Sequence, residues 1–412
     1  MSPHRLDKAY TALPAPVVYL DSQDYSRFGD VLRGKADENF ETLFFELEER
    51  KMRGKAIFAT SMPILAEILQ YDPNFRETSL KKAEAVERLC GPWALAFPTR
   101  LIAAEIAETA KGLGLIPAET DTTILSNERF WFPDISNLFE TMKEEMHDEL
   151  EMKVAALGLT SRAMKRKVAR AVRKFDPAKA AAEAAPQFAA RFDLPVAAIR
   201  GSLVEYLRGG INAREGSRRF FATIGEPVKF VETYFEKIET DRSLPAWMRN
   251  LGETLQSHIA QFQRNMEPIV RVDGMRAGLV ELIDNWSSQF GRAPLRAAED
   301  DTVEFGVEPA LREALFSNNG FVDAVPACQV CGKIISTYLR QVIGLSGNVA
   351  KIEASFGGDL IHAFYLPHVD LWRSDRRFSA VVTSALPAYA GRVVSKLTDL
   401  PSAIDAWHER EG

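Results

Sequence analysis

Cysteine is scarce in this chain: three occur in 412 residues, at Cys90, Cys328 and Cys331. So few thiols exclude a disulfide framework as the main support of the fold and suit a reducing compartment. Cys328-Gln329-Val330-Cys331 has the spacing of half a zinc site or of a redox pair. No second Cys/His pair accompanies it, so the pair reads as structural. A basic excess is missing as well, since 51 Lys and Arg face 57 Asp and Glu, for a net charge of -6. That balance gives no global footprint of nucleic-acid binding, and any such contact must be local. There is no apolar run of about 18 residues, and the opening Met-Ser-Pro-His-Arg-Leu-Asp-Lys lacks the apolar stretch of a secretory signal. The expectation is a cytoplasmic protein with no membrane partner. A Walker phosphate loop, a Gly-x-Ser-x-Gly elbow and a fixed-period repeat are all absent.

What remains is globular in texture, with 46% hydrophobic and 26% charged residues, in a chain long enough for two or three units. Val17-Val-Tyr-Leu20 is a short β-branched and aromatic run preceded by Pro14 and Pro16 and ended by Asp21, which predicts a buried strand. Residues 36–53 carry Phe40, Leu43, Phe44 and Leu47 at helical intervals before Gly54. Residues 56–60 form a second strand candidate, and Ser61 followed by Pro63 is the order expected at a helix start. A charged amphipathic segment over 80–89, a third strand candidate over 94–97 and a helix over 99–111 continue the alternation, which implies parallel pairing. From residue 117 onward helical patterns dominate, at 138–157, 161–174, 196–207, 227–237 and 248–262, and the Ala-rich 178–190 is either a helix hairpin or a linker. After the Ser317-Asn-Asn-Gly320 loop, helices are expected over 330–342 and 359–366, then strands over 369–372, 379–383 and 392–397. The predicted class is therefore α/β. Residues 1–115 and 321–412 form the two parts of one domain, and 116–320 a mainly helical insertion.

Several acids sit where such a sheet places ligands, outside the carboxyl ends of its strands. Asp21 ends the first strand, with Asp24 behind it. Glu67 interrupts the apolar second turn of the helix opened by Ser61, and Glu105 does the same in Leu101-Ile-Ala-Ala-Glu105. Asp359 opens a helix after Gly357-Gly358, and Asp370 and Asp375 flank the strand that follows. Taken singly, each has a plain structural explanation as a helix cap or a solvated side chain. His362, one turn after Asp359, reads as a packed histidine.

Three blocks, Val17-Val-Tyr-Leu-Asp21, Ala59-Thr-Ser-Met-Pro-Ile-Leu-Ala-Glu67 and Asp359-Leu-Ile-His-Ala-Phe-Tyr-Leu-Pro-His-Val-Asp-Leu-Trp-Arg-Ser-Asp375, resemble those of the PIN (PilT N-terminus) nucleases. The resemblance spans roughly residues 17–112 and 326–397, and the third block is its most specific part. It implies a PIN-like parallel sheet flanked by helices and split by the insertion. It also implies Mg²⁺ or Mn²⁺ held by Asp21, Glu67, Asp359 and Asp375, with Glu105 in place of Glu67 and Asp370 beside Asp375 as alternatives. Hard cations take oxygen ligands, polarise phosphate and activate water, so the implied chemistry is phosphodiester hydrolysis. RNA is the expected substrate and single-stranded DNA the alternative. The departure from the family is size, because some two hundred residues separate the blocks.

A local basic signal lies at 162–174, where Arg162, Arg166, Arg170 and Arg173 repeat at helical spacing opposite Met164, Val168 and Val172. Such a face suits phosphate, a membrane surface or a protein partner. Arg373, Arg376 and Arg377 surround Asp375 and either guide an anion or balance the acids. Two rival functions stand beside the endoribonuclease. One is a non-catalytic PIN-like binding or assembly module that holds a partner, or a second copy of the chain, through the insertion. The other is a metal-dependent hydrolase of small phosphoesters.

Overall fold

The computed structural model describes residues 15–69, 73–133, 175–192, 196–237, 243–270, 276–345 and 352–411 apart from 354, with scattered positions between 135 and 170. Among the described residues the chain is mostly helical, with a four-stranded parallel sheet. Among the described residues no helix is long and apolar enough to cross a membrane. The chain divides into two compact units, one formed by residues 1–131 and 238–412 and the other by 132–237.

The sheet of the first unit has the order β2-β1-β5-β6, made of β1 (Val17–Tyr19), β2 (Ile57–Phe58), β5 (Leu371–Arg373) and β6 (Val393–Val394). All three pairings are parallel, with Val17 beside Ile57, Val18 beside Leu371 and Trp372 beside Val393. Val17, Val18 and Tyr19 are wholly buried, as a strand covered on both faces must be, which explains their unbroken apolar run. The expected third strand, 94–97, is present only as β3 (Ala94–Leu95). It pairs antiparallel with β4 (Leu125–Ser126) in a separate two-stranded sheet, and a single parallel bridge from Ala94 to Thr60 reaches toward β2.

Helices cover this sheet in the order α1 (Ser22–Leu32), α2 (Glu38–Met52), α3 (Met62–Ile68), α4 (Arg76–Cys90) and α5 (Pro98–Gly112). Asp37 caps α2, its Oδ1 accepting from the amides of Asn39 and Phe40 at 3.0 Å each. Losing both bonds in Asp37→Ala is expected to cost about 1 kcal/mol, and Asp37→Asn much less. Thermal denaturation of the two variants checks this, and equal losses would remove the capping account.

Residues 238–320 belong with the first unit, so the helical part outside it is shorter than residues 116–320. α6 (Ser243–Val270) packs on α3 and on α9 (Phe356–Ala363), and α7 (Arg276–Phe290) packs on α8 (Pro326–Val342). The short turn Asp300–Phe305 packs on α5, where Arg100 pairs with Glu304 at 3.0 Å. The remaining helices of the unit that matter below are α10 (Arg376–Ala385) and α11 (Leu400–Glu411). Residues 379–383, expected as a strand, lie inside α10. Asp375 caps that helix by accepting from the amides of Arg377 and Phe378, and the cap outweighs the β-branched Val381-Val382-Thr383.

In the second unit the Ala-rich segment is one helix, Pro177–Phe192, continuous through Pro186. It packs with Val196–Ile199 and the π turn Arg200–Val204 through apolar residues, Ala185, Ala189 and Ile199 forming one cluster. Further on, Ala213–Ala222 presents Phe221 to Phe132 in a stacked pair with ring centroids 4.1 Å apart. Pro227–Lys237 follows as expected.

Candidate functional site

The strand order reverses direction at β1 and β5. From β1 the chain moves first to β2 on one side, and the closing strands β5 and β6 are added on the other. Loops leaving such a point diverge and open a crevice at the carboxyl ends of the strands. Asp21 leaves β1 there and Asp375 leaves β5. Both line a cavity of about 920 Å³, together with Glu67, Asp359, Ser22, Tyr338, Arg376 and Arg377. The four carboxylates singled out from the sequence thus face one pocket, although Asp21 and Asp359 are 338 positions apart in the chain.

Each acid already has a partner. Asp21 Oδ1 accepts from the Gln23 amide at 3.0 Å and from the Ser22 hydroxyl at 3.3 Å, which makes it the cap of α1. Glu67 Oε2 accepts a short hydrogen bond from Ser22 Oγ and lies 3.3 Å from His362 Nε2. Asp375 Oδ1 is committed to the first amides of α10. Burial, followed by the charge of Asp21, pushes the Asp359 carboxyl up to about 7. Burial also works to raise Glu67, but His362 and then Ser22 outweigh it and leave Glu67 below the usual range. Burial works to lower the His362 imidazole, and the charges of Glu67, Asp21 and Asp359 overcome it and raise it.

His362 is therefore not merely a packed side chain. It is buried, and it joins the acidic cluster to the interior: Nδ1 is 2.7 Å from Tyr19 Oη, which is 2.7 Å from Ser61 Oγ. Its helical spacing from Asp359 was visible in the sequence, but its partner Tyr19 is 343 positions away and no local pattern signals it.

The other acids proposed as alternatives fall elsewhere. Glu105 is wholly buried away from the pocket, with Oε1 2.6 Å from His368 Nε2 and Oε2 accepting from the Ala327 amide at 2.7 Å. Asp370 binds the start of β1, accepting from the Val17 amide at 2.9 Å, so it stands at the opposite strand ends from Asp21. Arg373 is buried, and its guanidinium lies 3.1 Å from Asp24 in an ion pair beneath the site, so it is not available to guide an anion. Arg376 and Arg377 are exposed at the pocket, and Arg377 pairs with Glu353 at 2.7 Å. On the basic segment, Arg162, Arg166 and Arg170 are helical and exposed, while Arg173 lies outside the described residues. Cys328 and Cys331 are buried on α8, where burial raises both thiols, Cys331 to about 12, and keeps them protonated and unreactive.

The donors suit a hard divalent cation, since the pocket offers carboxylate oxygens and the charge of Asp21 adds to burial in raising Asp359. In the conformation described, however, no three His, Cys, Asp or Glu side chains among the described residues stand close enough together to ligate one ion. No family model, curated protein or solved structure matches this chain. The pocket's own geometry is the ground for a functional reading.

Proposed function

We propose that the first unit is a PIN-like nuclease domain that hydrolyses phosphodiesters with Mg²⁺ or Mn²⁺, with RNA as substrate. The observation that carries this reading is the meeting of Asp21, Glu67, Asp359 and Asp375 in one pocket at the reversal point of a parallel sheet. A cluster of acids is costly without neutralisation, and Asp359 adds to it from the first turn of α9, whose cap position is taken by Ser355. Asp21 and Asp359 would hold the ion, and Glu67, placed by Ser22 and His362, would join them. When bound, the ion supplies a polarised phosphate oxygen and a water of lowered pKa. Arg376, exposed at the rim, attracts the polyanion and orients a phosphate toward the acids. Tyr338 and Gln341 line the same cavity and bear on whatever flanks the phosphate.

The reading is tested by incubating the full chain with single-stranded RNA, single-stranded DNA and mononucleotide phosphoesters, each with Mn²⁺, Mg²⁺ or EDTA. RNA cleavage is expected with either metal and not with EDTA, and Asp21→Asn should slow it on the order of 100-fold or more. Cleavage confined to mononucleotides would move the site to small phosphoesters. Intact RNA, with no Mn²⁺ affinity that depends on Asp21, would favour the second reading, a non-catalytic binding module. That alternative has its own support, because Asp375 is committed to the α10 amides and no three acids among the described residues stand close enough together for one ion.

A further inference from the structure

The Glu67 carboxylate stands against His362, and that imidazole is itself fixed by the core through Tyr19. We infer that Tyr19 and His362 act as positioning residues for Glu67, fixing the direction of its carboxylate for the divalent ion; this rests on the nuclease reading above. The chain of contacts runs from the core outward. Ser61 Oγ and Tyr19 Oη are 2.7 Å apart, Tyr19 Oη and His362 Nδ1 are 2.7 Å apart, and His362 Nε2 lies 3.3 Å from Glu67 Oε2 with no hydrogen-bond partner of its own. Ser61, Tyr19 and His362 are all buried, so no bulk water substitutes for a missing member.

The geometry selects where the imidazole proton sits. A neutral ring with its proton on Nδ1 would donate to Tyr19 and turn the bare lone pair of Nε2 toward the Glu67 carboxylate, which is repulsive. A proton on Nε2 is instead attracted by the carboxylate charge 3.3 Å away, and Nδ1 then accepts from the Tyr19 hydroxyl, which in turn accepts from Ser61. In the imidazolium Nδ1 donates to Tyr19, and the positive ring still faces Glu67. The charge of Glu67 therefore favours a protonated Nε2 in front, and the Tyr19 hydroxyl behind the ring donates to or accepts from Nδ1 as required and holds the ring in place. Partners of this kind, one bond removed from an ion, commonly change its affinity by about 10–100-fold when lost. Tyr19 belongs to β1 and is stacked on Tyr365 with centroids 5.0 Å apart, so the anchor is part of the sheet itself.

Two measurements on the full chain test this. In metal-free protein labelled with ¹⁵N-histidine, the His362 signals, assigned by their loss in His362→Gln, should show a protonated Nε2 in the parent. In Tyr19→Phe, which leaves Nδ1 without its partner, Nε2 should stay protonated beside Glu67 while the Nδ1 signal moves. Mn²⁺ titration should then give roughly tenfold weaker binding for His362→Gln, a smaller loss for Tyr19→Phe, and no further loss when His362→Gln is added to Glu67→Gln. An unprotonated Nε2 in the parent, an unchanged affinity in His362→Gln, or an equal loss with and without Glu67 would each overturn the positioning role alone. A parent that binds no Mn²⁺ would overturn this role and the nuclease reading together.

Discussion

Asp359→Asn is expected to make the protein more stable at pH 8, by about 1–3 kcal/mol, while abolishing metal-dependent cleavage. The Asp359 carboxyl is raised from 3.8 to about 7, first by burial and then by the charge of Asp21. A rise of that size sets a ceiling of ~4 kcal/mol, reduced here because the side chain is only partly buried. Between about pH 4 and pH 7 the folded protein binds more protons at this site than the unfolded chain, so the parent loses stability as pH rises through that window. Asparagine does not titrate and forgoes the loss. Parent and variant should therefore unfold alike near pH 4 and diverge progressively up to about pH 7. Asp24, pushed by burial to about 7 beneath the site, keeps part of the same slope in both proteins. Saturating Mn²⁺ should restore the parent's deficit, by about 2.7 kcal/mol at a hundredfold excess over Kd, and leave the variant unchanged. Thermal midpoints measured from pH 4 to pH 8 with and without Mn²⁺ decide the matter. A variant no more stable than the parent at pH 8, or a difference that does not vary with pH, would remove the account of Asp359 as a carboxylate held in tension for a ligand.

The parts of the molecule that could be read from the chain are those whose cause is local. Val17–Tyr19 is a strand because three consecutive β-branched or aromatic side chains have no polar face to offer water, and Asp21 follows because a strand that ends at a helix needs a cap. Asp21, Glu67, Asp359 and Asp375 could be picked out on the same local grounds, position at strand ends and interruption of an apolar stripe. Their convergence could be expected only by matching blocks from the two ends of the chain, since nothing within either block requires the other.

What was not legible depends on partners chosen from far away. Residues 379–383 carry two valines and a threonine in a row, and only the Asp375 cap, which acts on residues 377 and 378, turns them into α10. The helices between 243 and 317 are amphipathic like those of the second unit, and an amphipathic pattern states that a face is buried without stating against what. Their membership of the first unit is settled by packing of α6 on α9 and of α7 on α8. His362 illustrates the same limit at the site: its ring is defined by Tyr19 on one side and Glu67 on the other, 343 and 295 positions away.

Glu105 presents the converse case, an acid in the right kind of sequence context whose work is architectural. Its two oxygens are divided between His368, which precedes β5, and the amide of Ala327 in the first turn of α8, so one side chain of α5 ties together segments 222 and 263 positions distant. Glu105→Ala is expected to destabilise the protein by about 3–5 kcal/mol, because it leaves the buried imidazole and the buried amide without an acceptor and adds a cavity. Glu105→Gln keeps the shape and one carbonyl for Ala327, and should cost less than half as much. Chemical denaturation of both variants measures the difference, and Mn²⁺ affinity at neutral pH in the folded fraction supplies a second readout. Because Glu105 lies outside the pocket, the folded variants should bind Mn²⁺ as the parent does, in contrast to Asp21→Asn. A Glu105→Ala protein that is as stable as the parent but has lost its Mn²⁺ affinity would mean that Glu105, and not Glu67, belongs to the metal-binding set.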